Sequence, residues 1–225
     1  MDTVAAGLTL ASSPAMATSL LLVVHGRAGG VIPPELQSLA AELAQRRGAP
    51  VWLQALTAEP PVCLPGDERA FTLVPLMLLP GAHVRQDIPA IVRHWGAMAG
   101  VGRLSRVPFV GAWPVWQQAL AAEVRQLQSI VATDTSPWLL HHPLEGPLAP
   151  RYLDHLARVS GARLHATPYS AEQLAELQLS LTAPAVPLAL AANRLTDQLA
   201  DRVGPPLLER PRFRQVLLEQ LGGLP

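Results

Sequence analysis

The segment Ser19-Leu-Leu-Leu-Val-Val-His25 is a short apolar run that ends in His-Gly, and it has a counterpart in Ser136-Pro-Trp-Leu-Leu-His-His142. A continuous apolar run of this length is typical of a strand that is buried on both faces of a parallel sheet. Further matches occur in the same order in both halves of the chain. They are Leu36-x-x-Leu39-Ala40 with Leu153-x-x-Leu156-Ala157, Gly48-Ala49 with Gly161-Ala162, Val74-Pro75-Leu76-x-Leu78 with Val186-Pro187-Leu188-x-Leu190, and Pro114-x-Trp116-x-Gln118-x-Leu120 with Pro211-x-Phe213-x-Gln215-x-Leu217. We interpret this order as an internal duplication.

Strand-like and helix-like patterns alternate within each copy. In the first copy we predict strands over residues 20–24, 51–55, 71–79 and 107–110, and helices over 35–46, 88–95 and 112–131. In the second copy we predict strands over 138–141, 163–166, 186–191 and 206–208, and helices over 150–159, 171–179, 196–203 and 212–221. Such alternation predicts parallel sheets with right-handed crossovers. The fold class is therefore α/β, with two similar lobes, each a small parallel sheet flanked by helices, and a cleft between them.

The lobe boundaries follow from the repeat. Residues 18–132 form the N-terminal lobe, and residues 133–225 form a shorter, degenerate C-terminal lobe. Residues 1–17 are expected to be a disordered extension, and Met16 is an alternative start.

Two histidines follow strands that should be neighbours. In open parallel sheets, ligands bind beyond the carboxyl ends of the strands, and in a sheet of order 2-1-3-4 the first and third strands are adjacent. His25 and His83 would then project into the same opening, where two imidazoles suit a divalent iron, cobalt or nickel ion. The residues alone leave open a simpler interpretation, in which His25 caps a strand and His83 is a solvated loop residue.

Three motifs resemble those of the small class II chelatases of the CbiX/SirB type. Leu22-Val-Val-His-Gly26 resembles their apolar-G-H-G-S opening, and Ala58-Glu59-Pro60 is similar to their x-E-P. The most specific match runs from Val74 to Pro89 and resembles their V-P-L-F-L, a short loop with Gly and His, and then D-I-P. The resemblance covers about residues 19–132 and reaches the second half only through the repeat.

The resemblance implies a function: ATP-independent insertion of a divalent metal, Co²⁺, Fe²⁺ or Ni²⁺, into sirohydrochlorin for cobalamin or sirohaem. The metal is then a substrate, and no cofactor is permanently bound. By position, His25 would be a metal ligand and proton acceptor, and His83 the second ligand. Expected substrate contacts are Glu59, Leu78, Leu79, Pro80, Gly81, Ala82, Arg27 and Arg85.

The sequence also departs from the family pattern. Val24 stands where the family usually has Gly, and Arg27 where it has Ser. An alternative is therefore a tetrapyrrole- or metal-binding protein that keeps the fold without turnover. A binding protein of the periplasmic type is disfavoured by the short lobes and the lack of a recognisable signal segment. His142 matches His25, whereas residues 193–195 replace the His83 loop, so a second complete site is not expected.

Composition excludes several function classes. All 17 cations are arginines, balanced by 17 acidic residues, so the formal net charge is zero. A chain without lysine lacks the side-chain amine that Schiff-base enzymes and P-loops use. A neutral chain has no bulk attraction for nucleic acid or anionic membrane. One cysteine, Cys63, fits a reducing cytoplasm. We expect a cytoplasmic monomer or homodimer that binds sirohydrochlorin or a related tetrapyrrole.

Overall fold

The computed structural model describes residues 17–56, 58–59, 70–100, 102–131, 136–168, 170–181 and 183–225. The predicted extension lies outside this part of the chain except for its last residue, and the predicted lobe boundary at 132–133 also falls outside it. In the N-terminal lobe the elements are β1 (Ser19–Val24), α1 (Pro34–Arg47), β2 (Val51–Ala55), β3 (Phe71–Pro75), α2 (Ile88–Ala99), β4 (Leu104–Arg106) and α3 (Pro114–Val131). In the C-terminal lobe they are β5 (Trp138–His141), α4 (Ala149–Ser160), β6 (Arg163–Ala166), α5 (Ala171–Ser180), β7 (Ala185–Pro187), α6 (Arg194–Val203) and α7 (Pro211–Gly222).

Both sheets are parallel, and their strand orders correspond. The first runs β2-β1-β3-β4 and the second β6-β5-β7, so the predicted α/β class and the order of the first sheet are confirmed. Corresponding backbone hydrogen bonds fix the alignment of the two copies. Leu56 N donates to Val24 O at 2.8 Å, and Thr167 N donates to His141 O at 2.7 Å. His25 follows Val24, and His142 follows His141, the two residues whose carbonyls accept these bonds. His25 and His142 are therefore equivalent.

Local residue choice sets the same helix limits in both copies. Pro34 stands at the start of α1, where a proline removes no helical hydrogen bond. The residues that end α1 and α4 are Gly48 (φ 61°) and Gly161 (φ 72°). Both adopt the left-handed conformation that glycine tolerates without a Cβ clash, so each helix ends at the same place before a strand.

Several predicted strand limits were wrong. The edge strand of the first sheet is β4 at Leu104–Arg106. The predicted strand at 107–110 is wrong: the segment continues from β4 without a ladder, and Val110 already belongs to a 3₁₀ turn at Val110–Ala112. Pro108 lies inside the predicted strand, where it has no N–H to give to a ladder. The predicted strands at 71–79 and 186–191 end early, at Pro75 and Pro187.

The predicted strand at 206–208 is also wrong. Leu207 and Leu208 donate single hydrogen bonds to Ala189 O and Leu190 O, both at 2.9 Å. The chain then closes into a 3₁₀ turn at Leu207–Glu209, because Glu209 N bonds to Pro206 O at 3.1 Å. The second sheet accordingly has three strands among the described residues.

The largest apolar core is shared by the two lobes. It combines residues from the inner faces of both sheets with residues from α1, α3, α4 and α7. Helix α7 packs on α1 and α3, and α3 packs on α4, so the last helix of each lobe contacts the first helix of the other. Helix α2 covers the outer face of the first sheet through Ile88, Ile91 and Trp95, and α5 and α6 cover that of the second. Among the described residues, no helix combines the length and hydropathy needed to cross a bilayer.

Two equivalent aromatic residues meet where α3 packs on α7. Trp116 and Phe213 occupy matching repeat positions, and both are buried, with exposed fractions of 1% and 0%. Their ring centroids lie 4.9 Å apart. Contact between equivalent residues places this pair on the pseudo-twofold axis that relates the lobes.

Arg47 joins the end of α7 to the start of the first sheet. Its buried guanidinium donates to Leu221 O at 2.7 Å, Leu224 O at 2.8 Å and Thr18 O at 2.6 Å. A buried carbonyl that loses its hydrogen-bond donor destabilises the folded state, because water cannot reach it to replace the donor. Arg47 therefore links segments that are distant in sequence through main-chain acceptors.

We expect Arg47→Met to lower the free energy of unfolding by about 1–3 kcal/mol, because several buried carbonyls would lose their donor. The matched control is Arg46→Met, which removes only an exposed pair with Glu42 at 2.7 Å and should cost much less. Urea unfolding followed by circular dichroism measures both. Equal effects of the two substitutions would contradict the role assigned to Arg47.

Candidate active site

His25 stands at the carboxyl end of the central strand of the first sheet. Strand β1 is buried along its whole length and pairs with β2 on one side and β3 on the other. The residue after it leaves the sheet, and its side chain is exposed. Burial of the strand thus fixes the backbone that presents this imidazole.

His83 arrives from the neighbouring strand. The loop after β3 passes through Pro80 and Gly81, and His83 begins a π-helical turn, His83–Asp87, that continues into α2. The ring centroids of His25 and His83 are 4.9 Å apart, with 79° between the ring planes. The structure therefore brings together the two histidines that the sequence placed at adjacent strand ends.

Hydrogen bonds set the tautomer of each ring. Nδ1 of His25 donates to Gly26 O at 2.8 Å, since a carbonyl can only accept. Nδ1 of His83 donates to Oδ2 of Asp87 at 2.6 Å. In the neutral form, each imidazole then carries its lone pair on Nε2, the atom that can bind a metal or take a proton.

Asp87 is a site residue that the sequence analysis did not single out. Its carboxylate orients His83, as carboxylates commonly orient metal-binding histidines. The spacing of four residues on a helical turn places the two side chains on one face, so this spacing was a usable signal.

Arg27 and Arg85, predicted as carboxylate contacts, both cross to the C-terminal lobe. Arg27 Nη1 lies 3.3 Å from Asp197 Oδ2, and Arg85 Nη2 donates to Glu145 O at 3.0 Å. Arg27 and Arg85 each follow one of the two histidines by two residues, so the two bridges between the lobes start close to the histidine pair in the chain.

The other predicted substrate contacts line the same edge. Leu78 and Leu79 are half-buried against the shared core, Pro80 is buried, and Gly81 and Ala82 are progressively more exposed. Glu59 is exposed in the loop after β2. The exposed end of the Leu78–Ala82 segment is thus the part nearest to His83 in the chain.

The N-terminal end of this segment is held by the C-terminal lobe. The Tyr152 hydroxyl lies 2.8 Å from Leu78 O and 2.8 Å from Gly111 O, either of which can accept its proton. A Cβ at Gly111 would lie 1.9 Å from Leu78 O, so only glycine permits this approach. Burial raises the pKa of Tyr152, which keeps the hydroxyl protonated as a donor.

The equivalent edge of the C-terminal lobe keeps one histidine. His142 lies in a small cavity with Thr167, Pro168, Leu174, Arg194 and Leu195. Leu195, which is buried, replaces the second imidazole in the loop that matches that of His83. Burial lowers the pKa of His142, and the positive charges of His25, His141 and Arg194 lower it further. Among the described residues, no three His, Cys, Asp or Glu side chains form a group able to hold a metal ion.

Comparisons with known proteins concern the fold. No family model matches the chain, and no curated protein matches it. A structure of SirB from Bacillus subtilis with Fe³⁺ superposes with a TM-score of 0.59 at 18% identity, covering 92% of this chain and 94% of that one. Sirohydrochlorin chelatase SirB from Bacillus subtilis subspecies spizizenii in complex with cobalt gives 0.60 at 19% identity, covering 92% and 94%. CbiX, described as the terminal enzyme of sirohaem biosynthesis in denitrifying bacteria, gives 0.58 at 19% identity, covering 91% and 97%. The chain thus has the class II chelatase fold that the motifs predicted.

The buried histidine of β5 should make stability depend on pH. His141 is buried, and burial lowers its pKa from the ordinary value of 6.5, with the charge of His165 acting in the same direction. Below about pH 6.5 the unfolded chain binds more protons than the folded one, so the free energy of unfolding falls as pH decreases toward the folded pKa. The fall is at most about 1.4 kcal/mol per pH unit for each such histidine.

Urea unfolding between pH 5 and pH 8 measures this dependence, and His141→Asn should reduce it, even if the variant is less stable at pH 8, leaving the part that His142 contributes. Glu42, whose pKa is lowered from 4.5 by its hydrogen bond to Arg214, contributes only at lower pH. An unchanged slope in the variant would show that His141 is not responsible.

Proposed function

We propose that this protein inserts a divalent metal ion into sirohydrochlorin, without ATP, on the way to cobalamin or sirohaem. The observation that carries the proposal is the pair His25 and His83, with ring centroids 4.9 Å apart and both Nδ1 atoms engaged as donors. The pair lies at the carboxyl edge of a sheet in a chain with the class II chelatase fold. The family motifs at the same residues support this assignment.

Two imidazoles suit the handling of a metal that must be passed on. Imidazole nitrogen binds Fe²⁺, Co²⁺ and Ni²⁺, and two ligands leave coordination positions open for the macrocycle nitrogens. We propose that the Nε2 atoms of His25 and His83 hold the incoming ion. The metal is a substrate in this scheme and leaves in the product.

The reaction also releases protons. As the metal forms bonds to the four macrocycle nitrogens, the two pyrrole N–H bonds break, and both protons must leave. We propose that Nε2 of His25, once the ion has moved from it to the macrocycle, accepts these protons one at a time and passes them to water. No electron transfer is involved, so charge balances as one divalent ion in and two protons out.

The macrocycle is flat and apolar at its centre, with carboxylates around its rim. We propose that the exposed Gly81 and Ala82, continuing from Leu78, Leu79 and Pro80, contact its edge. Arg27 and Arg85 would pair with rim carboxylates, because a guanidinium binds a carboxylate through two parallel hydrogen bonds. Glu59, in the loop after β2, would be a further contact. We place the reaction in the cytoplasm, in keeping with the single cysteine of the sequence.

The proposal is tested by spectroscopy under anaerobic conditions. The purified protein is mixed with sirohydrochlorin and Fe²⁺, Co²⁺ or Ni²⁺, and the absorbance change is compared with the uncatalysed rate. Acceleration with at least one metal is expected. Binding of the macrocycle without acceleration by any metal would instead support a tetrapyrrole-binding protein that lacks turnover.

Replacing either histidine by alanine should reduce turnover by about 100-fold or more, because each removes a metal ligand and His25 also removes the proton acceptor. The same absorbance assay measures the rates. The control is His94→Ala, which removes an exposed imidazole on α2 beside Trp95 and should leave turnover unchanged. A variant at His25 or His83 that keeps the wild-type rate would remove that residue from the mechanism.

Asp87→Ala should lower the affinity for the metal by about 10- to 100-fold, because His83 would lose the carboxylate that orients its ring and fixes its tautomer. The effect should appear as a higher metal concentration at half-maximal rate. Gln86→Ala, an exposed neighbour on the same turn, is the control. Equal metal dependence in both variants would show that the carboxylate does not support the ligand.

A further inference from the structure

The ion pair between Arg27 and Asp197 joins the lobes beside the histidine pair. Arg27 Nη1 and Nη2 lie 3.3 Å from Asp197 Oδ2 and Oδ1, respectively. The two side chains are 44% and 48% exposed. This is the paired geometry by which a guanidinium holds a carboxylate, but the distances are longer than those of strong charge-assisted hydrogen bonds.

A second interlobe ion pair shows the contrast. Arg210 and Glu123 meet at 2.7 Å, and their side chains are only 11% and 13% exposed. That pair is short and shielded, as expected of a permanent contact. The Arg27–Asp197 pair is long and open to water, so another carboxylate can replace Asp197 at little cost.

The repeat explains why an acidic residue stands at this place. The alignment that relates Pro75 to Pro187 also relates Arg85 to Asp197. In the N-terminal lobe this position holds an arginine, which reaches Glu145 O in the loop after β5. In the C-terminal lobe it holds an aspartate, which reaches Arg27 in the loop after β1. The two bridges are thus pseudo-symmetric, and only one of them contains a carboxylate.

We propose that Asp197 pairs with Arg27 where a rim carboxylate of the macrocycle would otherwise bind. The substrate must displace Asp197, and this competition lowers the affinity for the anionic substrate. The inference rests on the proposed function, because it takes a polycarboxylate tetrapyrrole as the ligand. When a rim carboxylate binds Arg27, Asp197 loses its partner and stands close to the anionic rim. Both effects oppose binding, so Asp197 is an affinity-determining residue and not a catalytic one.

Replacement of Asp197 by asparagine removes the competing charge at nearly constant shape. Asp197→Asn should lower KM for sirohydrochlorin roughly two- to fivefold, the range expected for one exposed ion pair, and the change should be confined to KM. Arg27→Gln should raise KM. Asp197→Asn should lower KM less in the Arg27→Gln background than in the wild type, because the competition between carboxylates needs that guanidinium.

Two controls separate this role from a structural one. Asp154→Asn changes an exposed aspartate on α4 that makes no ion pair among the described residues, and it should leave KM unchanged. A tetrapyrrole whose rim carboxylates are amidated should bind wild type and Asp197→Asn equally well. Thermal unfolding of Asp197→Asn records any loss of interlobe stability.

The outcomes separate the inference from the proposed function. Turnover by the wild type with no change of KM in Asp197→Asn overturns the inference and leaves the chelatase proposal standing. The wild type could show no turnover while Asp197→Asn binds sirohydrochlorin more tightly in a titration followed by absorbance. That result supports the inference and overturns the chelatase proposal. A gain of affinity for the amidated macrocycle as well, or no binding of sirohydrochlorin by either protein, overturns the inference.

Discussion

The arrangement of the two lobes depends on a contact between two equivalent side chains, Trp116 on α3 and Phe213 on α7. A residue that touches its own counterpart must lie on the axis relating the copies, and here that position is fully buried in the shared core. Aromatic side chains bury more apolar area than most others, so this contact anchors the central helices strongly. Because each lobe's last helix packs on the other lobe's first helix, neither lobe completes its inner face alone.

This packing determines where the chemistry can occur. It turns the carboxyl edges of both sheets toward each other, so the segments that follow β1 and β3 meet the segments that follow β5 and β7. The duplication then diverges at equivalent positions. His83 has Leu195 as its counterpart, and Arg85 has Asp197, so one lobe keeps the two imidazoles and the other supplies partners for the arginines beside them. The two copies thus form one site at their junction, and for this reason equivalent positions around it carry different residues.

Much of the fold could be predicted from residue patterns, and particular elements show why the rest could not. The buried runs at β1 and β5, the glycines that end α1 and α4, and the repeat order identified the class and the strand order. The strands predicted at 107–110 and 206–208 were wrong because both segments are apolar for another reason: they lead into 3₁₀ turns that cap the shared core. Apolar composition reports burial, and it does not distinguish a ladder from a buried turn.

The sequence by itself determined the α/β class, the duplication and the nearness of His25 and His83, because parallel strands of known order bring their carboxyl ends to one edge. Asp87 was not singled out from the sequence, although its helical spacing from His83 was a usable signal, and the structure showed its hydrogen bond to His83. Tertiary structure alone decided that Arg27 faces Asp197 and that Tyr152 reaches Leu78 O. Those contacts join residues of different lobes, and their geometry follows from how the two inner faces pack, which no local pattern records.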